Sequence, residues 1–381
     1  MYILPNDKQE EERLKVRAFA EEVIAPKAAQ LDEEERFSSE LTIKMGEQGL
    51  LSMVAPKSYG GQEKDTLSYI IAVEELARVD SSQAATVVAH NSLGLVPIID
   101  YGNTEQREKY LPELISNHKL WAFGLTEENA GSDARGTETT AVRDGDEWVI
   151  NGSKRYITNA STPLTMGVTL QVMTNDNNGN PKLTTILVEN GTPGFTSKRM
   201  LGKMMWRAAD TARLTFKDCR VPYSNLLGQE GQGIRYMLKT LDGGRLSVGA
   251  MGLGLAQGAF EMALKHAKTR KQFGKAIGRN QAIGFKLADM SMKIELARNT
   301  LYRACILKDN ELPYSKEAAM AKLYTSEIAR EVADEAVQIF GGAGLYKDNP
   351  IERFYRDQRL LQIGEGTSEI LRLVIARGLG V

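Results

Sequence analysis

Apolar and polar positions follow two regimes along the 381-residue chain. Up to about residue 120 the spacing is helical. Glu10 to Glu22 sets Leu14, Arg17, Ala18 and Glu21 on a helix that is predicted to stop before Pro26, and a second segment runs from Ser39 to a break at Gly49. Thr66 to Val79 carries Leu67, Ile70, Ile71, Val73 and Leu76 on a strongly apolar helix. Ser81 to Tyr101 is almost continuous small and apolar sequence, the composition of a helix buried on most sides. Thr104-Glu105-Gln106-Arg107 reads as a capped helix start leading to Leu111-Pro112.

Near Trp121 the pattern changes, and until about Gly228 short apolar runs alternate with turn signals. Asp144-Gly145-Asp146 precedes Trp148-Val149-Ile150, Asn151-Gly152 follows, and Arg155 to Thr158 comes next, which predicts successive β-hairpins. Leu164 to Thr174, Leu183 to Val188 and Ala212 to Phe216 are further strand candidates, with turns at Asn175 to Asn180 and Gly191 to Gly194. Helical spacing then returns. Ile283, Leu287, Met290, Ile294, Ala297, Leu301 and Ala304 lay one seam along one face, as a helix bundle requires, and Ala318, Ala321, Thr325, Ile328, Val332 and Ile339 form a stripe of smaller residues that permits close packing. The reading is an α+β, mainly α chain: helices over 1–120, a β domain over 121–228 and helices over 229–381.

Composition removes several classes of function. A net charge of -1, with 42% hydrophobic and 25% charged residues, offers no electrostatic attraction to nucleic acid or anionic membranes. No run is long enough for a membrane span, and Met1 to Lys15 has neither secretory nor transit character, so a cytoplasmic location is expected. Cys219 and Cys305 stand far apart, which argues against a disulfide framework, and His90, His118 and His266 lack ligand spacing, so no metal is expected.

The most suggestive stretch is Ile363-Gly-Glu-Gly-Thr-Ser-Glu-Ile370. Glu365 lies between two glycines and just ahead of the N-cap residues Thr367 and Ser368, so it is held at a turn that another molecule can approach closely. That setting suits a general base; it also suits a glutamate that merely complements a helix dipole. Three other segments carry similarly double readings. Gly124 to Asp133 is dense in small and hydroxyl residues, as in an anion-binding loop or an ordinary one. Arg270-Lys271-Gln272-Phe273-Gly274 offers a basic pair for a phosphate or a helix C-terminus, and Gln338 to Gly342 ends a helix in two glycines.

Taken together and in order, TEENAGSD, YITN, LDGGR, RKQFG, QIFGGAG and GEGTSEI closely resemble the acyl-CoA dehydrogenase family, short-chain and butyryl-CoA members above all, from about Glu10 to Gly378. The resemblance implies a β-barrel-like middle domain, a C-terminal four-helix bundle, FAD, an acyl-CoA substrate, a homotetramer and electron-transferring flavoprotein as acceptor. It makes Glu365 the base that removes the α-proton while the β-hydrogen leaves as hydride. Phe123, Leu125, Thr126 and Ser132 match the flavin-binding segment, with Ser132 near FAD phosphate or CoA. Tyr156 and Thr158 match the aromatic-x-Thr pair at the isoalloxazine. Arg270, Phe273, Gln281, Gln338, Gly341 and Gly342 resemble contacts to the dinucleotide, some offered by a neighbouring subunit, with Thr367 and Glu369 closing around it. Asp242, Arg245 and Gly366 fall where the family meets the acyl-CoA.

Certain departures bear on the substrate. Two groups in the family carry the base just before the LDGGR arginine, where this chain has Gly244. Gly364 replaces a common tyrosine, Tyr156 a common tryptophan and Glu128 a usual proline. With Gly243 and Gly244, Gly364 leaves open a branched, cyclic, aryl or dicarboxylic acyl group, although neighbouring side chains would also fill such space and a short straight chain comes first. An oxidase on the same scaffold and a flavin-binding assembly module without turnover are the rival readings.

Overall fold

A computed structural model describes residues 4–176 and 178–381. Its helices begin with α1 (Asp7–Phe19), opened by a reciprocal cap in which the Asn6 side chain accepts from Gln9 N–H and the Gln9 side chain accepts from Asn6 N–H. The chain does not break before Pro26. A π turn (Ala20–Ile24) leads straight into α2 (Ala25–Glu33), where Pro26 occupies the first turn and needs no donor. Next come α3 (Ser39–Glu47) and α4 (Thr66–Ala77). α5 (Ser81–Val88), a second π turn (Ala89–Leu95) and α6 (Val96–Tyr101) form one continuous path. α7 (Thr104–Ser116) is capped by Asn103 and runs on through Pro112.

The sheet contains β1 (Leu120–Gly124), β2 (Thr140–Asp144), β3 (Glu147–Thr158), β4 (Thr165–Asn175), β5 (Pro181–Glu189), β6 (Phe195–Arg199) and β7 (Thr211–Pro222), in the order β1-β4-β2-β3-β7-β6 with β5 also on β4. β1 and β4 are parallel, and β3 and β7 antiparallel. Asn151-Gly152 is not a hairpin turn but lies inside β3. There the register slips so that Ile150 and Gly152 face Cys219 and Phe216, the extra residue belonging to β7. A second slip sets Lys154 and Ile157 opposite Leu214 and Ala212, so here β3 carries the extra residue. That bulge turns Tyr156 outward while Lys154 and Ile157 both point in.

The remaining helices are α8 (Gly233–Thr269), α9 (Gln281–Asp309), α10 (Ser315–Phe340), α11 (Ile351–Asp357) and α12 (Ser368–Gly378), with a small hairpin of β8 (Lys271–Gln272) and β9 (Lys275–Ala276) between α8 and α9. Glycines let α8 lie close to its neighbours. A Cβ at Gly254 or Gly258 would stand 2.1 and 2.2 Å from the carbonyl oxygens of Glu74 and Arg78 on α4 and just after it, and one at Gly252 would stand 2.9 Å from the Thr325 oxygen on α10. The α9 seam packs inward through Met290, Ile294, Ala297, Leu301 and Ala304. No helix among the described residues is long and apolar enough to cross a membrane. Sheet and helices are joined by buried polar contacts: Asn159 Nδ2 donates to the Thr86 carbonyl at 2.9 Å, and Trp206 N–H to Asp357 at 2.7 Å.

Candidate active site

The Glu365 turn is built from its backbone outward. The peptide path from α11 through a 3-10 turn (Gln358–Gln362) ends where Glu365 and Gly366 adopt left-handed φ values of 51° and 99°, and the Thr367 side chain then caps α12 by accepting from Ile370 N–H. Glu365 keeps some exposure overall, but its Oε2 is shut off from solvent and has no hydrogen-bond partner. The carboxylate lies against the backbone of α8: a Cβ at Gly244 would stand 2.2 Å from Oε2 and 3.3 Å from Leu93. Any larger residue there would have to displace the carboxylate. The space beside Gly244, read from the sequence as room for an enlarged acyl group, is thus taken by the Glu365 carboxylate. Gly364 also faces a wall, since a Cβ would meet Leu360 at 3.3 Å.

Burial pushes the Glu365 carboxyl up to about 7, against the opposing pull of Lys322 and then Arg245. Lys322, on α10, is wholly buried and donates to the Gly366 carbonyl at 2.7 Å. Arg245 pairs with Asp242, whose Oδ1 also accepts from Ser315 at 2.9 Å. Tyr69 on α4 completes the wall beside Ser92 and Ser247, with its hydroxyl pushed up by burial. Ser92 and Leu93 reach the site from the second π turn, the kind of irregularity that often re-aims side chains at functional sites. Sequence reasoning did not find Tyr69, Ser92, Leu93, Ser247 or Lys322. The one available signal was Lys322, a lone charge inside the small-residue stripe of α10.

A second group of candidates gathers at the mouth of the sheet. Arg155 N–H donates to the Thr126 carbonyl at 2.9 Å, which sets Phe123, Leu125 and Thr126 beside Tyr156 and Thr158. Tyr156 has φ 62° and a 58% exposed side chain, with the Arg155 guanidinium 4.9 Å from its ring centre. Arg155 in turn pairs with Glu128, the residue in place of proline. Beneath this surface Lys154, fully buried, donates to Glu127 at 2.6 Å, while Glu127 accepts from Glu138 and Thr139 N–H and so anchors the loop that carries Ser132. Burial and then the Glu127 carboxylate set Lys154, which ends near 8.

The structure does not bring the other dinucleotide candidates to that mouth. Arg270, Phe273 (93% exposed, φ 51°) and Gln281 surround the small hairpin at the end of α8, and His266 stacks on Phe340 at 4.3 Å, which puts Gln338, Gly341 and Gly342 at the same end. From Gly244 to Arg270 is 26 residues of helix, about 39 Å at 1.5 Å per residue. Thr367 and Glu369 stay with the Glu365 turn. His90 is a packed helix residue, its Nδ1 accepting from Trp121 N–H at 3.2 Å and its basicity lowered by burial to about 3.

Three family descriptions match in succession: acyl-CoA dehydrogenase N-terminal domain over residues 6–118, middle domain over 122–219 and C-terminal domain over 231–380. The chain belongs to the acyl-CoA dehydrogenase family, whose members are FAD-dependent oxidoreductases. Within it the likeness is to short-chain members. A short-chain specific acyl-CoA dehydrogenase of Clostridium acetobutylicum is 44% identical over 97% of each chain. The butyryl-CoA dehydrogenase of Megasphaera elsdenii superposes with a TM-score of 0.96 at 40% identity, covering 100% of both chains. A chain in a structure described as the electron transferring flavoprotein of Acidaminococcus fermentans matches with TM-score 0.96 and 42% identity over 100% of this chain and 99% of that one. Membership in an oxidoreductase family overturns the module without turnover.

The residues present fit a flavin. An outward aromatic ring on a bulge and a hydroxyl-bearing loop held rigid from beneath by Glu127 offer a flat face and polar groups of the kind such a ring system needs.

Proposed function

We propose that the protein removes two hydrogens from a short, straight-chain acyl-CoA to give the 2,3-enoyl-CoA, with Glu365 as base. The carrying observation is the shielded, unpartnered Oε2 of Glu365 at a turn pinned on both sides. A carboxylate in that setting is more basic than in water, which suits removal of the weakly acidic α-proton of a thioester. Bound FAD supplies the hydride acceptor for the β-hydrogen. Glu365 takes the α-proton on its carboxylate, and its backbone N–H polarises the thioester oxygen. Tyr156 and Thr158 orient the ring, with Phe123, Leu125, Thr126 and Ser132 along it; Asp242, Arg245 and Gly366 border the acyl-CoA.

The chain-length reading rests on the filled space at Gly244 and the wall at Leu360, and on the short-chain relative. The same reading makes the protein a homotetramer of the cytoplasm. About 39 Å of helix separates the Arg270 cluster from the base, so Arg270, Phe273, Gln281 and Gln338 to Gly342 serve a neighbouring subunit's dinucleotide. Phe285, Met292 and Leu296 form an exposed apolar line on α9 for that contact. Electron-transferring flavoprotein is the acceptor we assign, on the strength of the Acidaminococcus neighbour.

An anaerobic titration following flavin absorbance tests the central claim. Butyryl-CoA is expected to bleach the flavin and bulky, aryl or dicarboxylic acyl-CoA thioesters not; a flavin that stays oxidised with all of them overturns it.

A further inference from the structure

Lys322 stands out among the buried groups that the reaction does not use. It lies on the inner face of α10, where a Cβ at Gly249 on α8 would stand 3.6 Å from the Lys322 Cα, and its side chain has no exposure. Burying an ammonium is expensive unless a counter-charge meets it. Yet Lys322 has no carboxylate within ion-pair distance among the described residues; its bond is to the carbonyl of Gly366. The charges that face it are Glu365 across the turn, Arg245 from α8 and Glu327 from its own helix, and Glu327 is engaged by Ser368 at 2.7 Å. Glu365 is faced in turn by Lys322 from α10, by Arg245 with Asp242 from α8 and by Tyr69 from α4.

We propose that Lys322 is a positioning residue for the Glu365 base: it fixes the peptide after Glu365 through the Gly366 carbonyl and supplies the positive field that keeps the shielded carboxylate ionised. This rests on the reading of Glu365 as base, and it deepens that reading by naming what holds the base ready. Burial and charge act on the two groups in opposite senses. Burial raises Glu365 and Lys322 opposes that rise more than any other residue, while burial brings Lys322 down to about 8 and Glu365 opposes that fall.

The test compares wild type, Lys322→Met, Lys322→Gln and Lys322→Arg holoenzymes, each checked for flavin content and melting temperature. The carboxyl C=O stretch assigned by its loss in Glu365→Gln is followed by infrared difference spectroscopy against pH. Beside it runs the pH profile of flavin reduction by butyryl-CoA. Removing the cation in Lys322→Met moves the Glu365 midpoint up by at least about one pH unit, a tenfold change in its protonation equilibrium. The acid limb of the reduction profile moves with it, KM stays near wild type, and Lys322→Arg restores the wild-type midpoint. Lys322→Gln keeps a donor for Gly366 without the charge and shifts the same way, so it carries the test if the methionine variant does not fold. An unmoved carboxyl midpoint in the neutral variants overturns the proposal. A wild-type flavin that no acyl-CoA reduces overturns the dehydrogenation reading instead, and the infrared midpoints still judge Lys322.

Discussion

Two fully buried lysines, one in the sheet and one in the helical bundle, solve the same problem in opposite ways. Lys154 meets Glu127 at 2.6 Å and the Leu125 carbonyl at 3.2 Å, so its charge is closed into a structural pair beneath the loop that carries Ser132. Lys322 meets a carbonyl and faces, without touching, a carboxylate that is itself unpaired. A paired buried charge fixes shape; an unpaired one leaves its field available to something that changes protonation. The contrast separates scaffold from chemistry better than the extent of burial, which is the same for both.

Replacing Glu365 should have the largest effect. Glu365→Gln is expected to slow substrate reduction of the flavin at least about a thousandfold, measured by stopped-flow absorbance. The same substitution should raise stability. A carboxyl whose folded value is lifted from 4.5 to about 7 contributes fully below its unfolded value and loses that contribution as pH rises through about 7, so the neutral amide should melt higher above pH 7, by about 1–2 kcal/mol after discounting partial exposure. On the paired side the signs reverse: Glu127→Gln strands Lys154 and should cost about 3 kcal/mol in denaturant unfolding, with looser flavin binding. A Glu127 variant as stable as wild type would break the comparison.

Smaller effects sharpen it. Gly244→Ala puts a methyl where Oε2 lies, so the carboxylate must swing away; a drop of about 10- to 100-fold in the reduction rate with unchanged melting is expected. In the wild type, the acid limb of that rate should fall near pH 7, since protonated Glu365 cannot accept the α-proton. At the bottom of the scale, Glu128→Gln breaks an exposed pair with Arg155 and should change stability by no more than about 0.5 kcal/mol.

What the sequence revealed was whatever a local pattern encodes. The α9 seam, the small-residue stripe of α10 and the Glu365 turn are written in spacing and in cap residues, and they stand where the pattern puts them. What it concealed depends on partners distant in the chain. Asn151-Gly152 has the chemistry of a hairpin turn, yet pairing with β7 keeps the strand going. Pro26 and Pro112 sit in continuous helical paths that tertiary packing supports. Gly244 looked like spare room because nothing near it in sequence shows that Glu365, more than a hundred residues later, fills it. Lys322 was hidden because a lysine in a helix ordinarily marks its wet side.

The two register slips between β3 and β7 have a genetic consequence. Each strand donates one supernumerary residue, so inward and outward positions change parity once along each. Lys154, inside, and Tyr156, outside, owe their opposite placements to that odd count rather than to their own identities. Loss of the Arg155 codon would therefore regularise the strand: Tyr156 would stay outward between the inward Lys154 and Ile157, but the bulge that gives it a φ of 62° and the Arg155 N–H that donates to the Thr126 carbonyl would both go. Frame-preserving insertions or deletions elsewhere in β3 would shift every later side chain to the opposite face, a change that no single substitution makes.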